Sequence, residues 1–141
     1  MIIMIILDTN FIFALKAKND KNHTRANEIL ENLFEEHRDI KIISYSVLNE
    51  TFTLAVSRYH GNIQYLKDYY ELFWGSENFF KIINIESNEY QKIYQILEKY
   101  CTQQRQLSFV DASLIYLYKK HKAKHIISFD SHFDNILNRL Y

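Results

Sequence analysis

Four short runs rich in Ile or Phe interrupt an otherwise mixed chain: Ile2 to Leu7, Ile40 to Ser44, Phe79 to Ile85, and His125 to Phe129. The first is continuously apolar, which predicts a strand covered on both faces, as in a parallel sheet. Between these runs the apolar positions recur at helical spacing, each set forming one stripe. The stripes are Ala26, Ile29, Leu30, Leu33 and Phe34, then Val47, Thr51, Leu54 and Ala55, then Leu66, Tyr69, Tyr70 and Phe73. Ser87 is placed to cap a helix with Tyr90, Ile93, Tyr94, Leu97 and Cys101 on one face, and Ser108 to cap another carrying Val110, Leu114, Leu117 and Tyr118. Strands alternating with helices predict a three-layer α/β fold, a central and mainly parallel sheet of four to five strands flanked by helices.

Composition narrows what this scaffold carries. A chain of 141 residues fits one domain, 1–141, and 48% hydrophobic with 16% aromatic residues is the composition of a folded protein. There is no proline, and the two glycines are Gly61 and Gly75, so no Gly- or Pro-rich linker divides the chain. The same scarcity excludes glycine-rich phosphate loops, which need glycine where the backbone approaches phosphate. Seventeen Lys and Arg balance seventeen Asp and Glu, so a polyanion would be held by a local site or by bound cations. Cys101 is alone, which excludes an internal disulfide and a thiolate zinc knuckle and fits a reducing cytosol. The run Ile2 to Leu7 is too short for a signal peptide or a membrane span, and the expectation is a soluble, cytoplasmic protein.

In a parallel α/β fold, ligands collect where strands end and the next helices begin. Asp8 follows the first strand directly and Asp130 the last; Glu50 lies in the first turns of the helix after Ser44, and Asp111 in the first turn after Ser108. Each has an ordinary role when taken singly. Asp8 suits a helix cap, Glu50 a favourable interaction with the helix dipole, Asp130 a turn, and Ser108-Phe109-Val110-Asp111 a capping box. Together, four carboxylates at one rim repel one another and raise each other's pKa unless a cation neutralises them. An oxygen-only donor set favours Mg²⁺ or Mn²⁺ over zinc, and such an ion would draw a phosphodiester to a neutral protein.

These residues resemble the PIN domains, in particular the small toxin ribonucleases of VapBC-type toxin-antitoxin pairs. The resemblance covers nearly the whole chain and rests on Ile6-Leu7-Asp8-Thr9-Asn10, Ser46-Val47-Leu48-Asn49-Glu50, Leu107-Ser108-Phe109-Val110-Asp111-Ala112 and Ser128-Phe129-Asp130-Ser131-His132-Phe133. It implies a four-acid site, Asp8, Glu50, Asp111 and Asp130, that binds Mg²⁺ or Mn²⁺ and hydrolyses RNA, and it implies an antitoxin as partner. Ser128 stands where the family often has Thr, which keeps the hydroxyl. Ser113, Tyr116 and Tyr118 replace small residues in the helix after Asp111. No Ser-His or Cys-His pair offers a protein nucleophile, so water is the expected attacking group.

His121 and His125 are four apart but straddle a helix end and lack the Glu of HExxH. Asp134 is a candidate outer ligand, though a surface or helix-start position suits it better. Arg105 could reach a phosphate, with loop solvation as the alternative, and Lys119, Lys120, Lys122 and Lys124 complement a helix C-terminus. Tyr65, Tyr69, Tyr70, Phe73 and Trp74 share one segment, which predicts core packing together with a homodimer or partner surface. Two alternatives stay open at this point. A haloacid-dehalogenase-type phosphatase also places Asp after its first strand, but Asn10 occupies its second acidic position; a catalytically silent RNA- or protein-binding module would keep the fold alone.

Overall fold

All four apolar runs form strands, three of them shorter than the sequence suggests. The computed structural model describes residues 2–35 and 39–141, with the backbone alone at 34 and 35. In chain order the elements are β1 (Ile3–Leu7), α1 (Thr9–Lys16), α2 (His23–Glu35), β2 (Asp39–Ser44), α3 (Tyr45–Arg58), α4 (Ile63–Trp74), β3 (Phe80–Ile83), α5 (Tyr90–Tyr100), α6 (Phe109–Lys120), β4 (His125–Ile127) and β5 (Arg139–Leu140). Short 3-10 turns occupy Ser87–Glu89 and Ser131–Phe133. The side chain of Phe34, assigned by sequence to the stripe of α2, lies outside the described residues.

The strands form one sheet in the order β3-β2-β1-β4-β5, and every neighbouring pair is parallel. From β1 the chain steps through β2 to β3 on one side, then crosses back to β4 and β5 on the other. Because parallel crossovers are right-handed, reversing the direction of travel moves the connecting helices to the opposite face. The packing follows that division: α1 contacts α2, α3 and α4, whereas α5 packs on α6 and α6 on β1. The reversal falls between β1 and β4, and in sheets of this kind ligands collect at the carboxyl ends of the strands on either side of such a point.

Burial explains why β1 is continuously apolar. Ile5, Ile6 and Leu7 are at most 1% exposed, and Ile42, Ile43, Ile126 and Ile127 of the adjacent strands are equally enclosed. Each such side chain contributes about 1.5–3 kcal/mol relative to exposure. Tyr69 is the largest fully buried side chain; its ring stacks on Phe13, and its hydroxyl donates to the Phe13 carbonyl at 2.7 Å, so no polar group is stranded.

The structure corrects the sequence reading at three elements. Glu86, not Ser87, begins the turn leading into α5, through a reciprocal capping box with Glu89. The inward face of α5 is Ile93, Ile96, Leu97 and Tyr100, while Tyr90, Tyr94 and Cys101 are exposed. The reason is the pin between α5 and α6: buried Glu89 accepts from Tyr116 at 2.7 Å, from Lys120 Nζ and from the Glu86 amide, which sets the rotation of the helix. The hydrogen bonds from Lys120, Tyr116 and Glu86, in that order, hold the Glu89 carboxyl down at about 2. The third element, β5, went unread because two residues carry no periodicity. No helix among the described residues is long and apolar enough to cross a membrane.

Candidate active site

The carboxyl ends of β1 and β4 are tied together by one hydroxyl. Ser128, fully buried just past β4, donates to Asp8 Oδ2 at 2.7 Å and accepts from the Asp130 amide at 3.0 Å and from Asn10 Nδ2 at 3.3 Å. A serine hydroxyl has one proton and two lone pairs, and all three are used. Asn10 turns its carbonyl oxygen to the Phe129 amide at 3.0 Å, so its side chain works as donor and acceptor at once and ties the start of α1 to the loop after β4. An ionised aspartate at position 10 has no donor and could not make both bonds.

Asp8 caps α1 through its Oδ1, which accepts the Thr9 amide at 2.7 Å. The next side chain extends the site toward α3, since Thr9 Oγ1 donates to Glu50 Oε1 at 2.7 Å. Glu50 lies beyond the first turn of α3, which contains no acid, so the helix dipole does not account for it. Burial pushes the Asp8 carboxyl up to about 7; the hydrogen bonds from Ser128 and Thr9 oppose that rise, and the nearby charges of Asp111 and Glu50 add to it.

Asp111 serves two structures. It completes the capping box of α6, accepting the Ser108 amide at 3.0 Å while Ser108 Oγ accepts the Asp111 amide at 2.9 Å. It also offers a carboxylate oxygen that lies with one from Asp130 and a ring nitrogen of His132 in a group spanning no more than 4.8 Å. Asp130 caps its own 3-10 turn through the His132 amide at 2.9 Å, and its other oxygen stands 3.4 Å from His132 Nδ1. Thus Asp8 reaches Glu50 through Thr9 and Asp130 through Ser128, while Asp111 and Asp130 share the neighbourhood of His132.

His132 is the residue that sequence reasoning passed over. The signal was the Asp130-Ser131-His132 spacing, which becomes informative only when a 3-10 turn brings both side chains to one side. Asp134, Arg105, His125, Lys119 and Lys120 have partners outside this group. Asp134 is clamped by Arg139 at 2.7 and 3.1 Å, and Arg105 donates to the Asp134 carbonyl at 2.9 Å. His125 pairs with Asn138 at 2.9 Å, Lys119 with the Tyr100 hydroxyl at 2.6 Å, and Lys120 with Glu89.

The family model of the PIN domain matches residues 5–137, from inside β1 to the loop before β5. The chain belongs to the PIN domain family. Solved structures with this PIN fold include the toxin VapC20 of Mycobacterium tuberculosis, described as cleaving the sarcin-ricin loop, at 22% identity, TM-score 0.71 and 92% coverage of each chain. A VapBC2 complex from Rickettsia felis bound to a DNA fragment from its promoter is similar at 17% identity and TM-score 0.65, with 98% of each chain covered. A toxin-antitoxin complex from Klebsiella pneumoniae is similar at 18% identity and TM-score 0.56, covering 96% of this chain and 95% of the other. No curated protein matches the sequence. Membership of this family displaces the phosphatase alternative, in keeping with the double role of Asn10.

Proposed function

We propose that this PIN domain is a divalent-metal-dependent endoribonuclease, with Asp8, Glu50, Asp111 and Asp130 as its acidic site and Mg²⁺ or Mn²⁺ as its cofactor. The observation that carries the reading is the buried Asp8 carboxyl, bonded through Ser128 to the Asp130 loop and neighboured by Glu50 and Asp111, where accumulated negative charge is costly without a cation. The donor set fits such an ion: the acids supply oxygen, and His132 Nδ1 is a buried ring atom with no hydrogen-bond partner. When bound, the metal lowers the pKa of a water and neutralises charge on the phosphodiester.

The chain's own residues supply position. Ser128 and the Thr9 amide fix both oxygens of Asp8, the capping box fixes Asp111, and the Thr9 hydroxyl orients Glu50 to complete the ligand shell or to align the attacking water. Attack by water on phosphorus with the 3′-oxygen as leaving group breaks the P–O3′ bond and gives products with a 5′-phosphate and a 3′-hydroxyl. RNA as substrate and an antitoxin as partner are inferred from the VapC and toxin-antitoxin neighbours. We also infer a homodimer, because Tyr70 and Trp74 of α4 remain 54% and 47% exposed, as does Val56 of α3 at 48%.

Purified protein incubated with mixed RNA and Mn²⁺ is expected to cleave it, while Asp8→Asn, a near-isosteric change, is expected to fold and to be inactive. Cleavage that persists in EDTA, or products ending in 2′,3′-cyclic phosphates, would remove the proposal. A wild-type protein that binds RNA without cutting it would support the silent-module reading instead.

A further inference from the structure

We propose that His132 is a direct nitrogen ligand of the metal site, which makes the donor set mixed rather than purely carboxylate. The inference rests on the metal-dependent reading above and goes beyond its four acids. Three observations carry it. A ring nitrogen of His132 belongs to the same group, no more than 4.8 Å across, as oxygens of Asp111 and Asp130. His132 Nδ1 is buried and makes no hydrogen bond, although 39% of the side chain is exposed. Its distance to Asp130 Oδ2, 3.4 Å, is long for a hydrogen bond but near the spacing of adjacent donors on one ion. Two donors each bonded at roughly 2.1 Å and at right angles stand about 3 Å apart.

The backbone supports the placement. Asp130 accepts the His132 amide, and the next residue, Phe133, is fully buried and anchors the turn. The ring is therefore held by the element that carries Asp130, so one turn delivers an oxygen and a nitrogen together. Coordination through Nδ1 requires the ring proton to sit on Nε2. Imidazole favours transition metals over Mg²⁺, whereas an all-oxygen set suits Mg²⁺. His132 thus biases the site toward Mn²⁺ and later transition ions.

The test uses Mn²⁺ itself as the probe of the whole protein. Pulsed electron paramagnetic resonance of Mn²⁺ added to metal-free protein should show modulation from a directly bonded nitrogen nucleus. Growth on histidine labelled with the heavy nitrogen isotope should change its frequency. His132→Gln should bind Mn²⁺ without that signal and roughly tenfold or more weakly, and its Mg²⁺ affinity should fall less. Mn²⁺ bound to the wild type without nitrogen modulation overturns the assignment and leaves the four-acid reading standing, as does a signal unchanged in His132→Gln. A wild-type protein that binds no Mn²⁺ overturns both. Because the first measurement is made on the wild type, the result does not depend on how the variant folds.

Discussion

Ser128 spends its entire hydrogen-bonding capacity on the site. Ser128→Ala leaves Asp8 Oδ2 and the Asp130 amide each short of a partner, and should cost about 1–3 kcal/mol in urea unfolding together with most of the cleavage. Asp8 gives a pH signature in the metal-free protein. Its folded pKa is raised from 3.8 to about 7, so the native state holds the extra proton through that interval. The stability associated with that proton is fully present below pH 3.8 and is lost as pH rises to about 7. Urea melts at a series of pH values should therefore show metal-free protein weakening across this window, and Asp8→Asn should flatten the trend; an unchanged slope in the variant would remove Asp8 as its source. The acids were legible because an acid directly after an apolar strand, or just inside a helix, has few destinations in a parallel fold. The bonds through Thr9, Asn10 and Ser128 were not, because a short polar side chain shows its partner only in three dimensions.

The two helices after β3 are set by side-chain devices of different visibility. Ser108-Phe109-Val110-Asp111 was readable because a capping box is local, and it is present in the structure with both bonds made. Ser108→Ala should lower stability by about 1 kcal/mol and also loosen Asp111, so metal affinity should fall while Ser108→Thr retains it. The rotation of α5 was unreadable because it depends on Glu89 meeting Tyr116 and Lys120, which lie on a different helix. Glu89 has its pKa lowered from 4.5 to about 2. Its contribution is therefore present above pH 4.5 and lost as pH falls toward 2. Acid unfolding followed by circular dichroism should lose steepness in that interval in Glu89→Gln; an identical profile would show that the pin adds nothing. In β3 and β4 the runs overshot their strands, because apolar residues next to a strand also pack on the core without joining the ladder.

At the scale of the whole molecule, the segment read as one aromatic surface is divided by the helix into two. Tyr69 and Phe73 are buried, while Tyr70 and Trp74 face outward, so half of the motif serves the core and half is available to a second copy. Light scattering of wild type should report a dimer and of a Tyr70→Glu, Trp74→Glu double variant a monomer with unchanged circular dichroism; a monomeric wild type at high concentration would remove the proposed interface. The order in which the site is completed has a separate consequence. Asp8 and Glu50 leave the ribosome early, but Ser128 and Asp130 come late, and the loop holding them is braced by Arg139, which donates to the Ser128 carbonyl at 3.1 Å and to Asp134. During synthesis the early acids therefore emerge without the hydroxyl that ties Asp8 to the end of β4. The proposed four-acid site is thus still disassembled on the nascent chain, and gains its full constellation only after β5 has been added.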